Sequence, residues 1–278
     1  VVRSSNKPDQ MSFNHSREAP YRLAQNGGRL RVGVQFIREL HRGLERNQNT
    51  ADDIIYGVND EYRITKCPTG PSHDDCSIFS DSRYWEKKTD NRFFPYDNMA
   101  EVDALLTVLK EDDSPKRIEH IIDLDSFYAW FTIMTLSGSD HQNDLANVIL
   151  HFNSASGKFE FIPWDNSIGN SSVGDISSAT EIARKILTIP SIHHELLVRL
   201  WKYINEKENL KDDFAYYDRL VADFSPALFR DFRKHDSNRK FKRSILDTRI
   251  NFEDIASSVR KQIKSHESLA DISFNSRE

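Results

Sequence analysis

One segment of the chain is apolar on nearly every side, and it restricts the fold more than any other. After Ile121-Ile122-Asp123-Leu124-Asp125 come Phe127, Tyr128, Trp130, Phe131, Ile133, Met134 and Leu136. A helix without a polar face has to be enclosed by other elements, so the rest of the molecule must be built round this one. Either Asp123 or Asp125 can cap its start by accepting from a first-turn amide. In Ser137-Gly138-Ser139-Asp140 the glycine permits the left-handed turn that closes helices. Two strands are then predicted, Asn147–Phe152 and Phe159–Ile162. The turn residues Asn153-Ser154-Ala155-Ser156-Gly157-Lys158 join them as a hairpin.

The segments on either side differ in character. Residues up to about Ala19 are polar and aperiodic and read as a loosely held arm. Val32, Val34 and Phe36 alternate before a turn near His41-Arg42-Gly43, which favours a strand pair, and Asp53-Ile54-Ile55-Tyr56 reads as a further short strand. Met99, Val102, Leu105, Leu106 and Leu109 fall on one helical face. Beyond the polar stretch 166–178 the pattern is helical. The predicted helices are Ala179–Leu187, Ser191–Asn205, Leu210–Phe224, Asn238–Leu246 and Phe252–Ser265, with Pro190 and Pro226 as breaks. The expected class is α+β: residues 1–90 form an arm and a small strand-bearing unit, and residues 91–278 a mainly helical unit carrying the hairpin.

Composition excludes several functions. The 278 residues can bury a sizeable core, and no apolar run approaches the roughly 18 residues of a membrane span. With 38 Lys and Arg against 43 Asp and Glu, the net charge of -5 offers no polycationic surface, so nucleic acid is not expected as a partner. The two cysteines, Cys67 and Cys76, bracket a turn-rich loop. A local disulfide in an exported protein is the favoured reading, and two unrelated thiols the alternative. Sequons at Asn14-His15-Ser16 and Asn170-Ser171-Ser172 are compatible with export. The opening Val-Val-Arg-Ser-Ser, without Met or an apolar signal segment, reads as a cut N-terminus. His193-His194-Glu195 fails the zincin pattern because Val198 stands at the second histidine position, and these residues read as a first helical turn. Neither a Gly-x-Ser-x-Gly elbow nor a Walker or Gly-x-Gly-x-x-Gly loop occurs.

The acids around the hairpin carry the chemistry. Asp140 lies at its entry, Asn147 opens its first strand, and Asp165 follows its second in Ile162-Pro163-Trp164-Asp165-Asn166-Ser167. Because a hairpin returns its ends to one side, these three can converge as hard oxygen ligands suited to magnesium. Buried helix, catalytic-loop Asp, Asn, hairpin and metal-binding Asp is also the order of parts in protein kinases. The competing reading is that Asp140 and Asp165 each cap a local turn. Trp164 either packs beneath the site and aims Asp165 or covers the core.

The run from Ile121 to Asn170 resembles the CotH family of spore-coat kinases. The residues that carry the likeness are Asp123-Leu124-Asp125-Ser126-Phe127, Gly138-Ser139-Asp140, Asn147-Val148-Ile149-Leu150, Gly157-Lys158-Phe159 and, most specifically, Phe161-Ile162-Pro163-Trp164-Asp165. Tyr84-Trp85-Glu86-Lys87-Lys88-Thr89 looks like the family's Tyr-x-Lys-Lys segment, and Arg42-Gly43-Leu44 resembles its Gly-Leu-Tyr. The resemblance implies a divergent two-lobed protein-kinase-like fold. It also implies use of ATP with magnesium or manganese to phosphorylate Ser or Thr on secreted, cell-surface or coat proteins, with a Ser/Thr-rich protein as the partner. By the same resemblance Asp140 matches the catalytic-loop Asp, while Asp165 and Asn147 match the metal ligands. Ser167 replaces a second acid, Gly57 stands where a phosphate-contacting Lys is often found, and Glu45 stands in place of the usual Tyr after Gly43-Leu44. Lys66, Lys87 and Lys88 are the candidates to supply the missing charge at a nucleotide, or else are solvated surface lysines. A pseudokinase or structural surface module is the alternative function.

Overall fold

A computed structural model of the protein describes residues 54–67, 76–88, 98–111, 115–139, 142, 147–164, 180–232 and 236–265. The predicted arm, the alternating segment at Val32–Phe36, the turn at His41-Arg42-Gly43 and both sequons lie outside the described residues. The order of elements begins β1 (Ile54–Val58), α1 (Asp60–Lys66), a 3-10 turn (Ser82–Tyr84) and β2 (Trp85–Lys87). It continues with α2 (Ala100–Lys110), α3 (Pro115–Ile121), α4 (Leu124–Ser137), β3 (Ile149–Asn153) and β4 (Lys158–Ile162). Four further helices follow: α5 (Glu181–Leu187), α6 (Pro190–Asn205), α7 (Lys207–Arg230) and α8 (Asn238–Ser265).

The class is α+β, with one small antiparallel sheet and a mostly helical remainder. The sheet order is β2-β1-β3-β4. Tyr56 of β1 faces Lys87 on one side and Leu150 on the other, and Leu150 in turn faces Phe161. A single sheet therefore holds strands from before and after residue 90. β2 and α1 have no counterpart in the sequence reading. β2 is three residues long, too short for alternation to register, and α1 is a seven-residue helix with no buried side chain and hence no apolar stripe.

Local chemistry accounts for the hairpin. Asn153 Oδ1 accepts from the amides of Ala155 and Ser156 at 3.1 and 3.2 Å, and Gly157 at φ 68° completes the reversal. The buried helix α4 starts and stops where its sequence indicates. Asp123, rather than Asp125, is the cap, and its side chain accepts from Ser126 N at 2.8 Å. Gly138 ends the helix at φ 59°. A Cβ there would also lie 2.8 Å from Ile255 Cδ1, because α8 packs closely across this end. Asp125 instead pairs with Arg199 of α6 at 2.8 Å, and that guanidinium lies 4.4 Å from the centre of the Tyr128 ring.

The core lies between α4 and the inner face of the sheet. Trp130, Phe127, Phe159 and Tyr56 are fully buried there, and Trp130 stacks on Phe161 with centroids 4.8 Å apart. Cys67 and Cys76 form a disulfide that closes the loop after α1. His193 and His194 sit near the start of α6, the fourth and fifth residues of that helix. Two predicted breaks are corrected. α7 continues through Pro226, which lies inside the helix four positions before its last residue and removes a single backbone donor from it. α8 is continuous where two helices were expected, because the gap in its apolar pattern is filled by Arg249, which pairs with Asp218 of α7 at 2.7 Å. No helix among the described residues is long and apolar enough to cross a membrane.

Candidate functional site

β4 and the residues that follow it are tied to α4 at two points. At the start of the helix, Asp123 N donates to Phe159 O at 2.8 Å and Phe161 N donates to Ser126 Oγ at 3.0 Å. Asp123 and Ser126 of the Asp-Leu-Asp-Ser-Phe motif thus cap the helix through the Asp123 carboxylate and Ser126 amide and dock β4 through the Asp123 amide and Ser126 hydroxyl. Further along the helix, Trp130 Nε1 donates to Gln142 Oε1 at 2.5 Å, and Gln142 Nε2 donates to the carbonyl of Trp164. Gln142 is buried although it is an amide in a polar loop. Both ends of its side chain are engaged, as a buried amide requires.

Gln142 is two positions after Asp140, and Trp164 is one before Asp165. Asp140, Asp165 and Ser167 themselves lie outside the described residues. Asn147 stands just before β3, half-buried and at φ 63°, a left-handed conformation that Asn tolerates better than most non-glycine residues. Trp164 is 45% exposed, so it does not cover the core, and its carbonyl is held by Gln142; the reading that it aims Asp165 turns on a residue outside the described ones. No cluster of three or more His, Cys, Asp and Glu side chains suited to a metal ion occurs among the described residues.

The three candidate lysines separate clearly. Lys66 is exposed in the last turn of α1, its Nζ 6.0 Å from the centre of the Tyr62 ring. Lys87 is buried at 6% exposure, which corrects the picture of a solvated surface lysine. It shares the inner face with its cross-strand partner Tyr56. Lys88 lies on the opposite face and is exposed, with Nζ 3.0 Å from the Val58 carbonyl and paired to Glu86. Tyr56 Oη donates to Glu101 of α2 at 2.8 Å, and burial, reinforced by that carboxylate, pushes its phenol far above the ordinary range.

A protein-family model described as CotH kinase protein matches residues 41–264. The chain belongs to the CotH kinase family. That span takes in every described element except the last residue of α8. No curated protein matches. The family-motif residues that fall among the described residues all lie at the sheet, at α4 or at the junction between them. Gln142 escaped sequence reasoning because a lone glutamine in a polar loop carries no pattern. Its position between a tryptophan of the buried helix and the Pro-Trp-Asp run is the signal that distinguishes it.

Proposed function

We propose that the chain is a two-lobed protein kinase that transfers the γ-phosphoryl group of ATP to Ser or Thr hydroxyls of secreted, cell-surface or coat proteins. The observation that carries this reading is the Gln142 brace, which joins the loop following Asp140 to the carbonyl preceding Asp165. Family membership and the disulfide, a bond typical of exported proteins, support it further.

In this reading Asp140 orients the acceptor hydroxyl and takes its proton. The hydroxyl oxygen forms a bond to the γ-phosphorus while the bond from that phosphorus to the β-γ bridging oxygen breaks, and ADP leaves. The donor set suits a hard divalent cation, with the amide oxygen of Asn147 at the sheet end and the carboxylate of Asp165 next to a fixed carbonyl. Magnesium or manganese held there supplies charge neutralisation at the phosphates. The remaining work, positioning and proton removal, falls to the chain's own groups.

Labelled γ-phosphate should pass to the protein itself or to a Ser-rich acceptor, and Asp140→Asn or Asp165→Asn should abolish the transfer. No labelling with either metal, together with no thermal shift from ATP and metal, would rule the reading out. The departures at Ser167 and Gly57 favour a second reading, a pseudokinase or surface module. ATP-dependent stabilisation without any transfer would select it.

A further inference from the structure

We propose that Lys88, lying across Gly57, is the side chain that contacts the nucleotide's phosphates, and that Gly57 is glycine because this lysine occupies its face. The inference rests on the ATP-dependent reading above and deepens it by assigning the cation.

Gly57 faces Glu86 directly, so Lys88 stands diagonally across from it on the same face of the β1–β2 pair, a separation that a long side chain spans. It does span it. A Cβ built at position 57 would lie 2.6 Å from Lys88 Cε and 3.0 Å from Cγ. A side chain at 57 and Lys88 in this pose therefore exclude each other.

The direction of the lysine matters as much as its seat. Its Nζ reaches past Gly57 to the carbonyl of Val58, the last residue of β1. Passing from Tyr56 to Val58 along β1 corresponds, through the antiparallel pairings, to passing from Leu150 back to Val148 and from Phe161 on to Pro163. The ammonium thus extends toward the end of the sheet at which Asn147 and Trp164 lie. An ammonium has three donors, and among the described residues the Val58 carbonyl and Glu86 take two. The Glu86 pair is exposed on both sides, so a phosphate can replace it at small cost. Lys87 faces the core and Lys66 stands out from α1, so neither shares this approach.

Calorimetric titration of the intact chain with magnesium-ATP, and separately with magnesium tripolyphosphate, tests the assignment. Lys88→Met should weaken both ligands by about tenfold to a hundredfold, the worth of a charge-assisted hydrogen bond. Gly57→Ala should weaken them in the parent by displacing the lysine, yet have no further effect in the Lys88→Met background. The exchange Gly57→Lys with Lys88→Gly should recover most of the affinity. Melting curves separate these effects from misfolding, and Gly57→Ala keeps the test open if Lys88→Met does not fold. Unchanged affinity in folded Lys88→Met or Gly57→Ala overturns this assignment and leaves the kinase reading standing. A parent chain that binds neither ligand overturns both.

Discussion

The platform of α4 and the four-stranded sheet is held together differently from the α7–α8 pair. In the platform, Phe127 touches Tyr128, Trp130, Phe131 and Phe161, and hydrogen bonds made by Asp123, Ser126 and Gln142 join helix to strand and loop. α7 buries only Asp213 and Tyr217. Its partnership with the first half of α8 rests on Tyr217 donating to Ile245 O at 2.8 Å, the exposed Asp218–Arg249 pair and two edge-on ring contacts, Phe214–Phe252 and Phe229–Phe241. Phe232, Leu246 and Ile250 remain exposed there. Only the second half of α8, through Ile255, Val259 and Ile263, enters the main core. Interlocked rings and buried polar links maintain a fixed geometry where the motif residues sit. The helical pair is joined by contacts that can open locally without unfolding the rest.

The largest expected effect contrasts the two regions directly. Phe127→Ala should cost about 3–5 kcal/mol in a denaturant melt. Arg249→Ala, which removes an exposed pair, should cost less than about 1 kcal/mol. Equal costs would erase the distinction, and hydrogen exchange should show the amides of Ala215–Val221 opening before those of Phe127–Phe131. Replacing both Cys67 and Cys76 by Ala should lower stability by about 2–3 kcal/mol, the loop-closure value for a bridge of this span.

Gln142→Ala leaves a buried indole N–H and a carbonyl without their partner, at about 1–3 kcal/mol. If the brace positions the site, phosphoryl transfer should fall mainly through kcat and by more than the stability loss explains. A change confined to melting temperature would make Gln142 purely structural. The smallest effect is alkaline. Burial raises the phenols of Tyr56 and Tyr217, the latter to about 12, whereas an unfolded tyrosine ionises near 10. The unfolded chain then loses protons that the folded chain keeps, so the contribution of these two phenols to stability is constant below about pH 10 and declines as pH rises above it. Tyr56→Phe in the platform should flatten that decline more than Tyr217→Phe, whose contribution levels off once pH passes its own folded value.

Much of the platform was legible because its signals are local. Asp123, Gly138, Asn153 and Gly157 act on amides and torsions within a few residues, and each does so at the position its spacing indicates. The candidate site was legible as an order of residues rather than as an arrangement. Asn147 could be placed at a strand start, but its left-handed backbone could not, since that conformation is imposed by what adjoins it. The three lysines were indistinguishable in sequence, and only the register of β2 on β1 turns Lys87 inward and Lys88 outward.

By itself the sequence determined that one helix must be enclosed, that a hairpin follows it, and that the chain carries the CotH motif order. Periodicity, caps and turn residues are properties of neighbouring positions. The tertiary structure decided the rest: β1 beside β3, α8 unbroken, Gln142 between Trp130 and Trp164, and Lys88 over Gly57. Each of these depends on partners that the fold alone brings together. Along the chain they are separated by between 12 and 98 positions, too far for any local propensity to select them.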